Sequence, residues 1–173
     1  MPNDHKLPLE FPVNAIESRL ASMGLVLPMP IVPPGGTILP FKAVQVLDGR
    51  VLISGHGPLQ ADGNIAGPLG KVGAEVTIEE AYDAARLTAL AVLASLKREI
   101  GDLNRIRVWR RVFGMVNSAP GFNRQPEVLN GFSDLILALY GSERGAHTRS
   151  AVGMAELPFN IPVEIEGEVE LYV

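Results

Sequence analysis

The closing stretch "VEIEGEVELYV" (163–173) constrains the fold more than any other part of the chain. Val163, Ile165, Val169, Leu171 and Val173 fall on one side of a period-two repeat. Glu164, Glu166, Glu168 and Glu170 fall on the other. A strand written this way has one face in a core and one face outside it. A chain that closes on it needs a layer upstream to cover the apolar side.

Two helices supply that layer. Thr77 and Glu80 form a capping box, and Gly101 is a stop. Between them Ile78, Ala81, Ala85, Ala89, Val92, Leu96 and Ile100 keep one face, and the alanines let the helix lie close on a sheet. The second helix opens with Pro126 in its first turn and closes at Gly141. Its stripe is Val128, Phe132, Leu135, Ile136 and Leu139, and Asn130 lies opposite, pointing away from the core. A shorter helix is expected after the loose arm 1–13: Asn14 and Glu17 read as a capping box, Ile16 and Leu20 share a face, and Gly24 ends it.

Four further segments read as strands. "KAVQVLD" and "RVLISG" flank Asp48-Gly49, a hairpin signal. "RIRVWRRVFGMV" is rich in β-formers, and residues 149–157 form a small, apolar strand headed by Arg149. "LPMPIVPPGG" is a proline-rich connector, and 55–73 a long loop of the kind that often carries function. The order is β-β-α-β-α-β-β after a helical arm. It predicts an α+β fold: a mixed sheet with two long helices packed on one face. We divide the chain into an arm at 1–35 and a single domain at 36–173. Pairing of Ala155 with Glu164 across the 157–162 loop would put Arg149 and Glu164 on one sheet face.

The chain has 173 residues, which suits one domain, and its net charge of −4 argues against life on a phosphate backbone. It has no cysteine, hence no disulfide and no thiolate chemistry. His5, His56 and His147 make no metal-ligand spacing. "GNIAGPLGKVG" fails as a phosphate loop and "LISGH" fails as a nucleophile elbow, so neither metal nor cofactor is expected. The longest apolar run, "LTALAVLASL", is short of the roughly 20 residues a membrane span needs. A soluble, cytoplasmic protein is expected. Arg105, Arg107, Trp109 and Arg111 are placed on one strand face. Arginine beside an aromatic suits single-stranded nucleic acid, but the acidic charge favours an exposed sheet face or a subunit contact. For Arg149, Glu164 and Asn130, pattern alone favours an ordinary surface: a surface arginine, one of four solvated glutamates and a helix-surface asparagine.

The run "RSAVGMAELPFNIPVEIEGEVEL", with "NGFSDLI", "RVLISGHGPL" and "LPFKAVQVLDG" before it, resembles the RidA/YjgF family of reactive-intermediate deaminases, also labelled L-PSP endoribonucleases. The likeness covers roughly residues 36–171, and "GKVGAEVTIEEAYDAAR" looks like a longer subgroup. The resemblance implies a chorismate-mutase-like fold and a homotrimer with sites between subunits. It implies hydrolysis of an enamine or imine, such as 2-aminoacrylate, to a 2-keto acid and ammonia, with no cofactor and no metal. By the same likeness Arg149 holds the substrate carboxylate and Glu164 positions the hydrolytic water. Asn130, Ser54 and Gly55 line the pocket. Phe41 stands where better-known members carry tyrosine, His56 replaces a frequent glutamine, and Ala151 a frequent cysteine. Those departures favour, as an alternative, a non-catalytic module that binds a keto acid; an endoribonuclease is the third reading.

Overall fold

A computed structural model describes residues 13–172 of the chain. The elements run α1 (Ala15–Ser22), β1 (Val44–Leu47), β2 (Arg50–His56), α2 (Ile78–Ile100), β3 (Ile106–Asn117), α3 (Gln125–Gly145), β4 (Thr148–Met154) and β5 (Val163–Leu171). The five strands form one mixed sheet in the order β1-β2-β5-β3-β4. Every pairing is antiparallel except β3 with β4. The expected element order and the mixed α+β architecture both stand. Residues 1–12, most of the expected loose arm, lie outside the described residues.

The local signals explain most of the boundaries. Thr77 and Glu80 make both bonds of the capping box at α2, and Gly101 ends that helix with φ 81°. Asp48 and Gly49 both adopt positive φ, as the tight β1–β2 hairpin turn requires. Gly141 (φ 72°) breaks α3, and the chain adds one more turn to Gly145. The alternation of β5 holds: Val163, Ile165, Val169 and Leu171 are buried in the core with the helices.

Three expectations fail, each for a physical reason. Asn14 does not cap α1 through its side chain, because its backbone is left-handed (φ 58°). Glu17 turns instead to Lys97 Nζ (2.6 Å) and the Leu103 amide (3.1 Å), which ties α1 to the end of α2.

The second failure concerns Trp109, which does not share a face with Arg105, Arg107 and Arg111. β3 carries an extra residue between Ile106 and Val108 and another between Trp109 and Arg111, measured against β5. Each bulge resets the alternation. Ile106, Trp109 and Val112 therefore all point inward and are buried. Trp109 stacks edge-on against Phe132 and Tyr140. Arg107 and Arg110 stay outside and both bind Glu170.

The third failure is the pairing of Ala155 with Glu164. β4 follows β3 through a helix and lies parallel beside it, as a strand–helix–strand unit does. β5 is inserted between β2 and β3. Arg149 stands opposite Val112, and Glu164 opposite Met115. Positions 112 and 115 are an odd number apart in a stretch of regular register, so Arg149 and Glu164 lie on opposite faces of the sheet.

α2 and α3 approach closely at Gly131. A Cβ there would sit 2.0 Å from the Tyr82 carbonyl oxygen. Alanine is the better helix former by about 1 kcal/mol, but the clash is with backbone. We expect Gly131→Ala to destabilise the fold by about 1–3 kcal/mol, read as a lower urea midpoint. An unchanged or higher midpoint would mean that the two helices separate freely.

Candidate functional site

Arg149 lies on the edge strand β4 and reaches across to α3. Its Nη1 donates to Asn130 Oδ1 (3.1 Å) and Ser133 Oγ (2.9 Å). Its Nη2 donates to Asn130 Oδ1 (3.1 Å) and the Pro126 carbonyl (3.3 Å). All three partners are neutral oxygens, and among the described residues no carboxylate pairs with this guanidinium. Partial burial pulls its pKa down, and Asp134 opposes that weakly. Ser133 is in turn held by His147 Nε2 (3.0 Å), whose Nδ1 lies 2.7 Å from the Gly145 carbonyl. A carbonyl only accepts, so Nδ1 carries the proton and Nε2 accepts from the serine hydroxyl. Burial lowers the His147 pKa, the Gly145 contact opposes this, and the Arg149 charge lowers it further.

Glu164 sits on the central strand β5, on the opposite face of the sheet. Between Ile53 and His56, β2 carries one extra residue relative to β5, a bulge at Ser54-Gly55. The Glu164 carboxylate lies over Gly55, so closely that a Cβ there would fall 1.9 Å from Oε1. Burial raises the Glu164 pKa, and neighbouring Glu166 raises it further. The carboxylate borders a cavity of about 250 Å³ that Gly55, Phe41, Leu39 and Ile31 also line. A second cavity of about 420 Å³ shares those four residues and runs on to His56, Ser95 and Arg98. His56 Nδ1 lies 2.7 Å from the Ser54 carbonyl and its Nε2 lies 2.9 Å from Ser95 Oγ. Burial lowers its pKa, the Ser54 contact opposes this, and the Arg98 charge contributes further lowering.

The sequence-predicted residues thus divide into two groups within one chain. Gly55, Phe41, His56 and Glu164 gather around joined cavities; Arg149 and Asn130 gather at the β4 edge. Ser54 belongs to neither. Its hydroxyl donates to the Lys42 carbonyl (2.7 Å), and it borders a separate depression with Leu52, Arg111 and Phe113. Ala151 packs partly against the core. Sequence reasoning missed Ser95, Arg98, Ser133 and His147. One signal was available: Ser95 and Ser133 each interrupt an apolar stripe, and a polar group inside a stripe needs a partner. Among the described residues no group of acidic, histidine or cysteine side chains is placed to hold a metal ion. Nor is any described helix long and apolar enough to cross a membrane.

Residues 17–165 match the family model described as "YjgF/chorismate_mutase-like, putative endoribonuclease". The chain belongs to this family. Protein TCP17 of Trypanosoma cruzi is 37% identical over 157 residues, which cover 90% of this chain and 94% of TCP17. The solved structure of Atu1372 from Agrobacterium tumefaciens, a protein of unknown function, is 37% identical with a TM-score of 0.79. It spans 93% of this chain and 94% of that one. A protein from Shewanella oneidensis MR-1, labelled a candidate endoribonuclease, is 31% identical with a TM-score of 0.79, over 90% of this chain and 99% of its own.

Burial of Glu164 has a measurable consequence. Its folded pKa is raised, so the folded chain keeps that proton to higher pH than the unfolded chain does. Folding is therefore penalised as pH rises through the ordinary glutamate range toward the raised value. Glu164→Gln removes the titration. We expect the variant to gain stability over wild type at neutral pH and to lose that advantage below about pH 4. Denaturant midpoints at several pH values check this; a constant difference would mean that the carboxylate is not desolvated.

Proposed function

We propose that this chain hydrolyses small 2-imino acids to 2-keto acids and ammonia, with Arg149 gripping the substrate carboxylate and Glu164 managing the water. The observation that carries this reading is the state of Arg149. Its guanidinium is oriented by three neutral oxygens and its charge is left for a ligand. An arginine fork grips a carboxylate through two parallel bonds. Glu164 is a carboxylate whose proton affinity is raised, which suits a group that must take a proton from water and return it to the leaving amine.

The reaction follows from those two groups. Water attacks the carbon of the protonated imine, one of its protons passes to the Glu164 carboxylate, and a neutral carbinolamine forms. Glu164 returns that proton to nitrogen, ammonia leaves as the hydroxyl oxygen becomes the carbonyl, and the hydroxyl proton passes back to Glu164 and on to solvent, leaving the 2-keto acid. The step is facile, so orientation and one proton carrier suffice. Because Arg149 and Glu164 face opposite sides of one sheet, the reading requires Arg149 of one copy beside Glu164 of another, in a homotrimer. Other proteins of this fold include Escherichia coli TdcF, solved with bound serine, 20% identical with a TM-score of 0.54. A small amino acid is the size and chemistry that the reading needs.

A second reading, a keto-acid-binding module without catalysis, is favoured by Phe41. That ring is 57% exposed at the cavity and brings no hydroxyl to it. The endoribonuclease label of the family fits less well. Arg50, Arg107 and Arg110 on the outer face are paired with Glu168 or Glu170, and exposed Arg111 shares its depression with Glu166 and Glu168, so basic and acidic groups alternate there.

Steady-state assay on freshly generated 2-imino acids decides between the two. Arg149→Lys keeps the charge and loses the fork; kcat/KM should fall about 30- to 1,000-fold. Normal turnover by a folded Arg149→Lys protein would sink the clamp. Glu164→Gln should lower kcat by roughly 100-fold if it carries the proton, while keto-acid binding survives. Light scattering should give a trimer mass; a clean monomer would remove the shared site.

A further inference from the structure

The chain builds the arrangement around Arg149 twice. At Arg149 the order is carbonyl, histidine, serine, arginine: Gly145 O, His147, Ser133, Arg149. At the end of β2 the same order recurs with Ser54 O, His56, Ser95 and Arg98. In both, the histidine Nδ1 binds the carbonyl two residues before it, at 2.7 Å. In both, Nε2 takes the serine hydroxyl, at 2.9 Å and 3.0 Å. The serine oxygen then accepts from the guanidinium, at 3.0 Å for Arg98 and 2.9 Å for Arg149. Each arginine also donates to a proline carbonyl, Pro28 O (3.2 Å) or Pro126 O (3.3 Å).

The electrostatic state matches too. Among the described residues no carboxylate pairs with Arg98. Burial lowers its pKa, as it lowers that of Arg149. The histidine behind each serine, with Nδ1 on a carbonyl, accepts the hydroxyl at Nε2 and so fixes its direction. The serine therefore turns a lone pair toward the guanidinium and aims it without neutralising it.

What differs is the setting. Arg98 lines the cavity of about 420 Å³, whose walls are mostly apolar. That volume lies in the range of ligand sites, roughly 300–1,000 Å³. Lys42 and Glu99 line it as well and offset each other, so Arg98 sets the sign of the cavity. Ile31, Leu39, Phe41 and Gly55 are common to this cavity and to the one at Glu164. The two cavities adjoin along these residues, which form an apolar wall leading from the side of Glu164 toward Arg98.

We propose that Arg98, aimed by Ser95 and His56, is a second carboxylate-binding site, which takes the distal acid group of a 2-imino or 2-keto dicarboxylate. The proposal rests on the reading in which the 2-carbon end lies by Glu164 and its carboxylate at Arg149. The distal site would then select diacids over monoacids of equal length, since a guanidinium gains nothing from a methyl end.

The test is calorimetric binding at low ionic strength. The probes are 2-oxoglutarate and 2-oxoadipate against 2-oxopentanoate and 2-oxohexanoate. Wild type should bind the diacids at least about 10-fold more tightly than the monoacids of the same length. Arg98→Gln should abolish that preference by lowering diacid affinity at least about 10-fold; Ser95→Ala should reduce the preference in part. Equal affinity for diacids and monoacids in wild type overturns the second site. So does a preference that survives Arg98→Gln. Failure of the underlying reading looks different: Arg149→Lys then leaves monoacid binding intact, whatever Arg98→Gln does. If Arg98→Gln still removes the diacid preference in that case, the second site stands without the first.

Discussion

Two glycines seat α3, and the site at Arg149 depends on where they put it. Gly114 of β3 lies under Leu129, whose Cδ1 would be 2.2 Å from a Cβ at that position. Gly131 lies against the Tyr82 carbonyl of α2. With both side chains absent, α3 settles onto the sheet and onto α2 together. Pro126, Asn130 and Ser133 then fall on the flank of α3 that faces the edge strand, spaced by four and three residues as one helix face demands. Arg149 finds three oxygens there without a carboxylate among them. A larger residue at 114 or 131 would push the helix outward and move all three acceptors at once. The setting of Arg149 is a product of backbone packing before it is one of polar chemistry.

The arginines of this chain divide by what they touch. On the outer face Arg50 meets Glu168 at 2.8 Å, and Arg110 meets Glu170 at 2.6 Å. Such exposed pairs contribute little to stability. Their larger effect is to neutralise that face. Arg149 and Arg98 instead touch serine, carbonyl and, for Arg149, amide oxygens. These partners fix direction and leave charge. Lowered pKa values for both are consistent with desolvation that no counter-ion offsets. A desolvated guanidinium without a counter-ion is held at a cost, and that cost is reduced when an anion arrives.

Much of the architecture is legible in the sequence because it is written in local rules. The capping box at Thr77, the Asp48-Gly49 turn and the alternation of 163–171 each depend on residues within a few positions of one another. What was misread is what depends on distant partners. The bulges that turn Trp109 inward exist only in register with β5, some sixty positions away. Asn14 and Glu17 spell a cap, but Lys97 and the Leu103 amide outcompete it for Glu17. The position of β4 beside β3 is a crossover of long sequence separation; nearness to β5 along the chain suggested a hairpin instead. The candidate site shows the same limit. Arg149, Glu164 and Asn130 are singled out by the family resemblance, while the Ser–His supports behind each arginine form only when helix and strand meet.

The bulge at Ser54-Gly55 connects these themes. It turns Ser54 toward the Lys42 carbonyl and His56 toward α2, and it brings Gly55 under Glu164. Gly55 is needed there because any side chain would occupy the space of the carboxylate. The bulge thus does two jobs with one inserted residue: it desolvates Glu164, and it places the histidine that holds Ser95. Glu164 and Arg98 come to border joined cavities for this reason, though they belong to different layers of the fold. Arg149 cannot reach Glu164 within one chain, since the sheet stands between. Under the proposed reading a second copy brings its own Arg149 to that opening. The carboxylate and the cation that act on one substrate are then kept apart until assembly, which prevents them from neutralising each other in the isolated chain.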